Sequence, residues 1–141
     1  MIDQKASKKI LLMDDDPDDR KYFSEAINEI DASIECITAK DGQHGMELLR
    51  DTSNTLPNFI FLDLRMPRYN GRQCLAQIKS DPRLKDIPVI IYTTSREMAE
   101  MEELQNLGVT HFISKPSDPD EIYYVLSMVL EEQWGNRLFY Q

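Results

Sequence analysis

The stretch ILLMDDDPDD, residues 10–19, joins four consecutive apolar residues to five carboxylates, Asp14, Asp15, Asp16, Asp18 and Asp19. An apolar run without alternation suits a strand buried on both faces, as in a parallel sheet covered by helices. Such a strand, ending in aspartates, delivers like charges to one rim of the sheet. There they must either face water or be neutralised. Pro17, Asp18 and Asp19 suit the first turn of a helix, where proline's fixed φ is tolerated and the helix dipole favours acids.

The alternation of apolar run and helix-period segment continues along the chain. Tyr22, Phe23, Ala26, Ile27 and Ile30 predict one apolar stripe on the helix after Pro17. SIECITA (33–39) alternates as a strand, and DGQHGMELLRDT (41–52) reads as a turn and a short helix. NFIFLD (58–63) is a second buried strand that ends in aspartate. NGRQCLAQIKSD (70–81) predicts a helix with Cys74, Leu75 and Ile78 on one face. Gly71 is assigned to its entry turn. PRLKDIP (82–88) is a loop, and VIIYTT (89–94) a fourth strand. SREMAEMEELQNLG (95–108) predicts a helix with a serine cap and a glycine stop. VTHFISK (109–115) is a fifth strand. DPDEIYYVLSMVLEEQW (118–134) predicts one closing helix, capped by Asp118, with Ile122, Val125, Leu126, Val129 and Leu130 on its apolar face. Five strands alternating with five helices predict an α/β domain with a doubly wound five-stranded parallel sheet.

The 141 residues suffice for one domain with a sizeable core and are too few for two ordinary ones. A net charge of −9 disfavours nucleic acid and anionic membranes and suits cations or partners with basic patches. No apolar run reaches bilayer length, and MIDQKASKKI (1–10) lacks the apolar segment of a secretory signal, so a cytoplasmic location is expected. Cys36 and Cys74 form no CxxC pair and read as reduced, mostly buried thiols.

Ligands of open α/β sheets bind outside the carboxyl ends of the strands. Those ends carry Asp14 and Asp15, then Asp63, then Thr93 and Thr94, then Ser114 and Lys115. Three carboxylates at a solvent-open rim suit Mg²⁺, which prefers oxygen ligands and keeps several waters. Without Cys or His beside them they suit Zn²⁺ poorly. Lys115 is a point charge able to pair with Asp63 or a phosphoryl oxygen, and Thr93 offers a hydroxyl to the same oxygen. Around one aspartate these groups can stabilise a transferring phosphoryl group, and the aspartate itself can be the nucleophile.

DDD after the first strand, FLDLRMPRYNG around the third, VIIYTTS at the fourth and FISKP at the fifth resemble the receiver domain of two-component response regulators. The resemblance covers residues 9–132, within a single receiver domain of residues 1–141 that ends in a short extension, 133–141. It implies a flavodoxin-like, three-layer αβα fold with strand order 2-1-3-4-5. It implies Asp63 as phosphoacceptor, and Asp14 and Asp15 as the acidic pair that binds Mg²⁺, Asp15 directly and Asp14 largely through water. The backbone carbonyl of Arg65 would complete the protein's share of the metal shell. Lys115 would contact the phosphoryl group, and Thr93 would turn inward to meet it. Pro116 falls where the family often has a cis peptide bond. Phe112 takes the place of a switch aromatic, often tyrosine, without the hydroxyl. The implied partners are a sensor histidine kinase or phosphotransfer protein, and a downstream protein target. GRQCLAQIKSDPRLKDIPVIIYTTS (71–95) and the tail containing Trp134 resemble stand-alone receivers that pair with bacterial phytochrome kinases.

Plainer roles stand beside these. Asp18 and Asp19 read as solvated helix-start charges and Asp16 as an exposed loop acid, the alternative for Asp16 being contact with a metal-bound water. His44 and His111 read as surface or packing residues, and Phe112 could equally fill core. Thr94 and Ser95 could cap the next helix. Met98 and Met101 are either core or partner-facing. The tail WGNRLFYQ (134–141) either packs on its own domain or forms a homodimer contact. A haloacid-dehalogenase-type phosphatase needs a second aspartate where Arg65 stands. A flavodoxin-like cofactor binder needs a phosphate loop where DDDPDD stands, and that loop repels phosphate. A phosphorylation-independent scaffold has no need of the acidic pair, Asp63, Thr93 and Lys115 together. With no DNA-binding or enzymatic segment after Gln141, output is expected through protein contact or phosphorelay.

Overall fold

The computed structural model describes residues 8–94 and 98–134. Its strands are β1 (Lys9–Met13), β2 (Glu35–Ala39), β3 (Phe59–Leu62), β4 (Val89–Thr93) and β5 (His111–Ser114). The helices are α1 (Pro17–Ile30), α2 (Gly42–Arg50), α3 (Gly71–Ser80), α4 (Met98–Asn106) and α5 (Ile122–Trp134). All strand pairs are parallel, in the order β2-β1-β3-β4-β5.

Both faces of the sheet are apolar because successive side chains of β1, β3 and β4 point to opposite sides. Ile10, Leu12, Phe59, Phe61, Ile90 and Tyr92 pack with Phe23, Ile27, Leu126 and Leu130 of α1 and α5. Leu11, Met13, Ile60, Leu62 and Ile91 pack with Met46, Leu49, Cys74, Leu75, Ile78 and Leu104 of α2, α3 and α4. Phe23 stands edge-on to Phe61 and Tyr92, with ring centroids 5.0 and 5.5 Å apart. This is the covered parallel sheet expected from the alternation, in the three-layer αβα, flavodoxin-like form that the receiver resemblance implies.

Several local expectations change. The closing segment is not one helix. Asp118 caps a 3₁₀ turn, Pro119–Glu121, in which Glu121 N donates to Asp118 O at 2.9 Å, and α5 begins only at Ile122. An i→i+3 bond tightens the chain there, as is common at helix entries. On α1, Tyr22 is 37% exposed while Phe23, Ala26, Ile27 and Ile30 are buried, so the stripe is narrower than the spacing suggests. Val125 is only half-buried. Gly71 has no left-handed backbone; among the described residues that conformation belongs to Arg68 (φ 66°) and Gly108 (φ 96°). Gly71 serves close approach instead, since a Cβ there would lie 2.5 Å from the Asp63 carbonyl oxygen. The Lys115–Pro116 bond is trans, unlike the family habit. The Ser95 cap, the Met98 side chain and the tail 135–141 lie outside the described residues. Met101 is half-buried. Trp134 packs edge-on against Phe59 at 4.6 Å, beneath the Lys8 ammonium.

Candidate functional site

Sheet register assembles the site. Met13, the last residue of β1, pairs with Leu62, the last of β3, so Asp14 and Asp63 emerge side by side. Asp63 N donates to Met13 O at 3.0 Å, extending the ladder one step into the loop. Thr93 closes β4 opposite Ser114, and Lys115 N donates to Thr93 O at 2.8 Å.

Asp63 is 4% exposed and fully engaged. Its Oδ1 accepts from Thr93 Oγ1 at 2.9 Å and from the Arg65 amide at 3.0 Å. Its Oδ2 accepts from Lys115 Nζ at 3.0 Å. Asp14 is fully buried, and its Oδ1 accepts from the Asp16 amide at 3.0 Å. Lys115 Nζ lies 2.8 Å from Asp14 Oδ2, a buried ion pair. Burial pushes the Asp14 carboxyl up to about 7, outweighing the Lys115 ammonium and the Asp16 amide, which oppose the rise. Burial acts to lower the Lys115 pKa, but the Asp14 and Asp19 carboxylates outweigh it and hold the ammonium charged.

The structure gathers Asp14, Asp15, Asp63, Thr93 and Lys115 at one point. Phe112 is half-buried on β5 against the apolar cluster on the α2–α3–α4 side of the sheet. Arg65 also places a guanidinium nitrogen 3.6 Å from Glu100 Oε2 on α4. His44 Nδ1 accepts from the Lys40 amide at 3.1 Å, and His111 Nε2 lies 3.0 Å from Glu132. Burial raises the two thiols, Cys36 to about 11 and Cys74 to about 12, which keeps them protonated and unreactive.

Asp19, read as solvated, acts otherwise, and Asp16, exposed as expected, has a second role. Asp19 Oδ2 accepts from Lys115 Nζ at 2.7 Å, across 96 positions of sequence. No local pattern announces that contact, because it exists only once the Lys115 side chain, just past β5, reaches α1's first turn. Asp16 is the N-cap of α1, with its Oδ1 accepting from the Asp18 amide at 2.8 Å and the Asp19 amide at 3.3 Å. Its place immediately before proline was the available signal. Arg20 was also missed: its Nη1 donates to the Asp14 carbonyl at 2.8 Å and fastens α1 to the end of β1.

Asp14, Asp15 and Asp63 each offer an oxygen, and these lie within 4.8 Å of one another. Three carboxylates, Asp14, Asp19 and Asp63, share one ammonium and Asp15 stands beside two of them, so the ionised site is under-neutralised. An all-oxygen donor set and excess negative charge together fit a hard divalent cation.

The fold and this rim define a doubly wound α/β domain with a buried, donor-ringed aspartate. Residues 10–127 match the response regulator receiver domain family. The chain belongs to that family, the receiver modules of two-component signalling. The response regulator Rcp1 of Synechocystis sp. is 30% identical over 131 residues, which span 90% of this chain and 88% of Rcp1. Chemotaxis protein CheY1 of Helicobacter pylori is 29% identical, covering 86% of this chain and 96% of its own length. Among solved structures, the phosphorylated cyanobacterial phytochrome response regulator RcpA matches with a TM-score of 0.83 at 34% identity, covering 89% of this chain and 93% of RcpA. The Mn²⁺-bound form of Rcp1 matches with a TM-score of 0.81 at 30% identity, covering 90% of this chain and 94% of that one. No helix among the described residues is long and apolar enough to cross a membrane.

Proposed function

We propose that this chain is a single-domain, cytoplasmic phosphoacceptor switch that takes a phosphoryl group on Asp63 from a histidine kinase or phosphotransfer protein. The observation that carries this reading is the environment of Asp63, where a hydroxyl, a backbone amide and an ammonium ring one buried carboxylate. An Asp63 oxygen attacks phosphorus as the donor's P–N bond breaks, and the electron pair leaves with the donor imidazole. Lys115, Thr93 and the Arg65 amide are placed to follow the charge from the carboxylate onto the phosphoryl oxygens. Asp14, Asp15, Asp63 and the Arg65 carbonyl would hold Mg²⁺, which would supply the balancing positive charge. Hydrolysis reverses the modification when water attacks phosphorus and the O–P bond to Asp63 breaks. The protein promotes both steps on itself and is not a metabolic enzyme.

Thr93, which the structure already holds inward on Asp63 where the family resemblance implies a turn on phosphorylation, would then follow the phosphoryl oxygens, and Phe112 would shift, biasing the surface of α4, β5 and α5 toward a downstream protein target. The similarity to RcpA and Rcp1 favours a phytochrome-type kinase as donor. A homodimer through the tail is part of this reading, and solution mass before and after deleting residues 134–141 tests it. The central test incubates the protein with acetyl phosphate, with and without MgCl₂. An acid-stable, hydroxylamine-labile adduct that needs Mg²⁺ and vanishes in Asp63→Ala is expected. No adduct on the wild type, or an undiminished adduct in Asp63→Ala, would refute it.

A further inference from the structure

Lys115 has three carboxylate partners, Asp14 at 2.8 Å, Asp19 at 2.7 Å and Asp63 at 3.0 Å. Asp14 and Asp63 also belong to the oxygen trio that fits a cation, whereas Asp19 does not. A cation at the trio and the ammonium of Lys115 therefore compete for the same two carboxylates. Asp19 alone of the three partners stands outside that competition. Its position is well fixed. Its amide is held by the Asp16 cap, and Arg20 ties the same turn of α1 to the Asp14 carbonyl. Its side chain is 31% exposed, so its charge is kept at modest desolvation cost, while Lys115 is 9% exposed.

Resting on the proposed function, we propose that Asp19 is a positioning residue for Lys115. It holds the ammonium when a cation takes Asp14 and Asp63, so that cation and lysine occupy the site together instead of excluding one another. Without Asp19 the lysine falls back on Asp14 and Asp63 and competes more strongly with the cation. The two positive charges would then alternate, and phosphoryl transfer needs both.

The test titrates MgCl₂ into the full chain by calorimetry for wild type, Asp19→Asn, Asp18→Asn, Lys115→Met and the Asp19→Asn/Lys115→Met double variant. Asp19→Asn should weaken Mg²⁺ binding about fivefold, the scale of a partly exposed charge-assisted hydrogen bond. Asp18→Asn, which removes an equal charge from the same helical turn, should change it less than about twofold. In the Lys115→Met background the Asp19→Asn effect should largely disappear, because the anchor then has nothing to hold. The rate of adduct formation from acetyl phosphate should fall in Asp19→Asn and recover in part in Asp19→Glu. Four results would each overturn the proposal: Asp19→Asn binding Mg²⁺ like wild type, Asp18→Asn weakening it equally, an undiminished Asp19→Asn effect in the Lys115→Met background, or no Mg²⁺ binding by wild type. A wild type that binds Mg²⁺ yet forms no adduct sinks the phosphoacceptor reading, while calorimetry still decides the role of Asp19.

Discussion

Replacing Lys115 with methionine keeps most of the side-chain volume and removes the one ammonium shared by Asp14, Asp19 and Asp63. Lys115 and Asp63 are nearly buried and Asp14 is fully so, and removing one partner of a buried pair costs about 3–5 kcal/mol. Two features reduce that cost. Asp19 is partly exposed, and Asp14 already holds its proton up to about 7, so it escapes the unpaired state by staying neutral. A loss of about 3 kcal/mol follows on the alkaline side of the Asp14 titration and a smaller one on its acid side. With an m-value near ~1.5 kcal/mol/M, the urea midpoint falls by about 2 M. Far-UV circular dichroism in urea, in chelator and in saturating MgCl₂, measures it. Mg²⁺ should recover much of the loss, because a cation on the trio replaces the missing positive charge. A variant as stable as wild type in chelator, or a deficit indifferent to Mg²⁺, would refute the view that these carboxylates depend on Lys115 for neutralisation.

Gly71→Ala sets a Cβ 2.5 Å from the Asp63 carbonyl oxygen and 2.7 Å from Leu64 Cα. Neither backbone atom can rotate away, so the variant should lose about 1–3 kcal/mol and form the acetyl phosphate adduct more slowly. Asp16→Ala removes the α1 cap and should cost about 1 kcal/mol, read as a drop in thermal midpoint of roughly 3 °C. The Asp14 carboxyl, raised from 3.8 to about 7, makes the metal-free fold bind the extra proton in that interval. Its stability contribution is therefore largest at acid pH and falls as pH rises from the unfolded toward the folded pKa. The same proton competes with the cation, so Mg²⁺ affinity by calorimetry should rise with pH through about 7 and level off above it. A pH-independent affinity across that window would contradict the burial argument.

The sequence by itself determined the α/β alternation and the candidate rim. ILLM, FIFL and VIIYT are apolar without alternation, which only a sheet covered on both faces satisfies. Residues that end such runs lie at the strand ends, so Asp14, Asp63, Thr93 and Lys115 are legible as rim residues, and the receiver resemblance, which implies the strand order, makes them neighbours. The tertiary structure decided the rest. Which rim acid faces water and which faces Lys115 depends on where the lysine after β5 reaches the first turn of α1, a relation between residues 96 positions apart that leaves no periodic mark. The absent positive φ at Gly71, the 3₁₀ turn before α5 and the exposed Tyr22 are likewise set by backbone approach and helix placement. Local pattern records which face a residue prefers. It does not record the partner that the packed chain brings to that face, and at this rim the partner separates the buried Asp14 from the Asp16 cap and from Asp19 on Lys115.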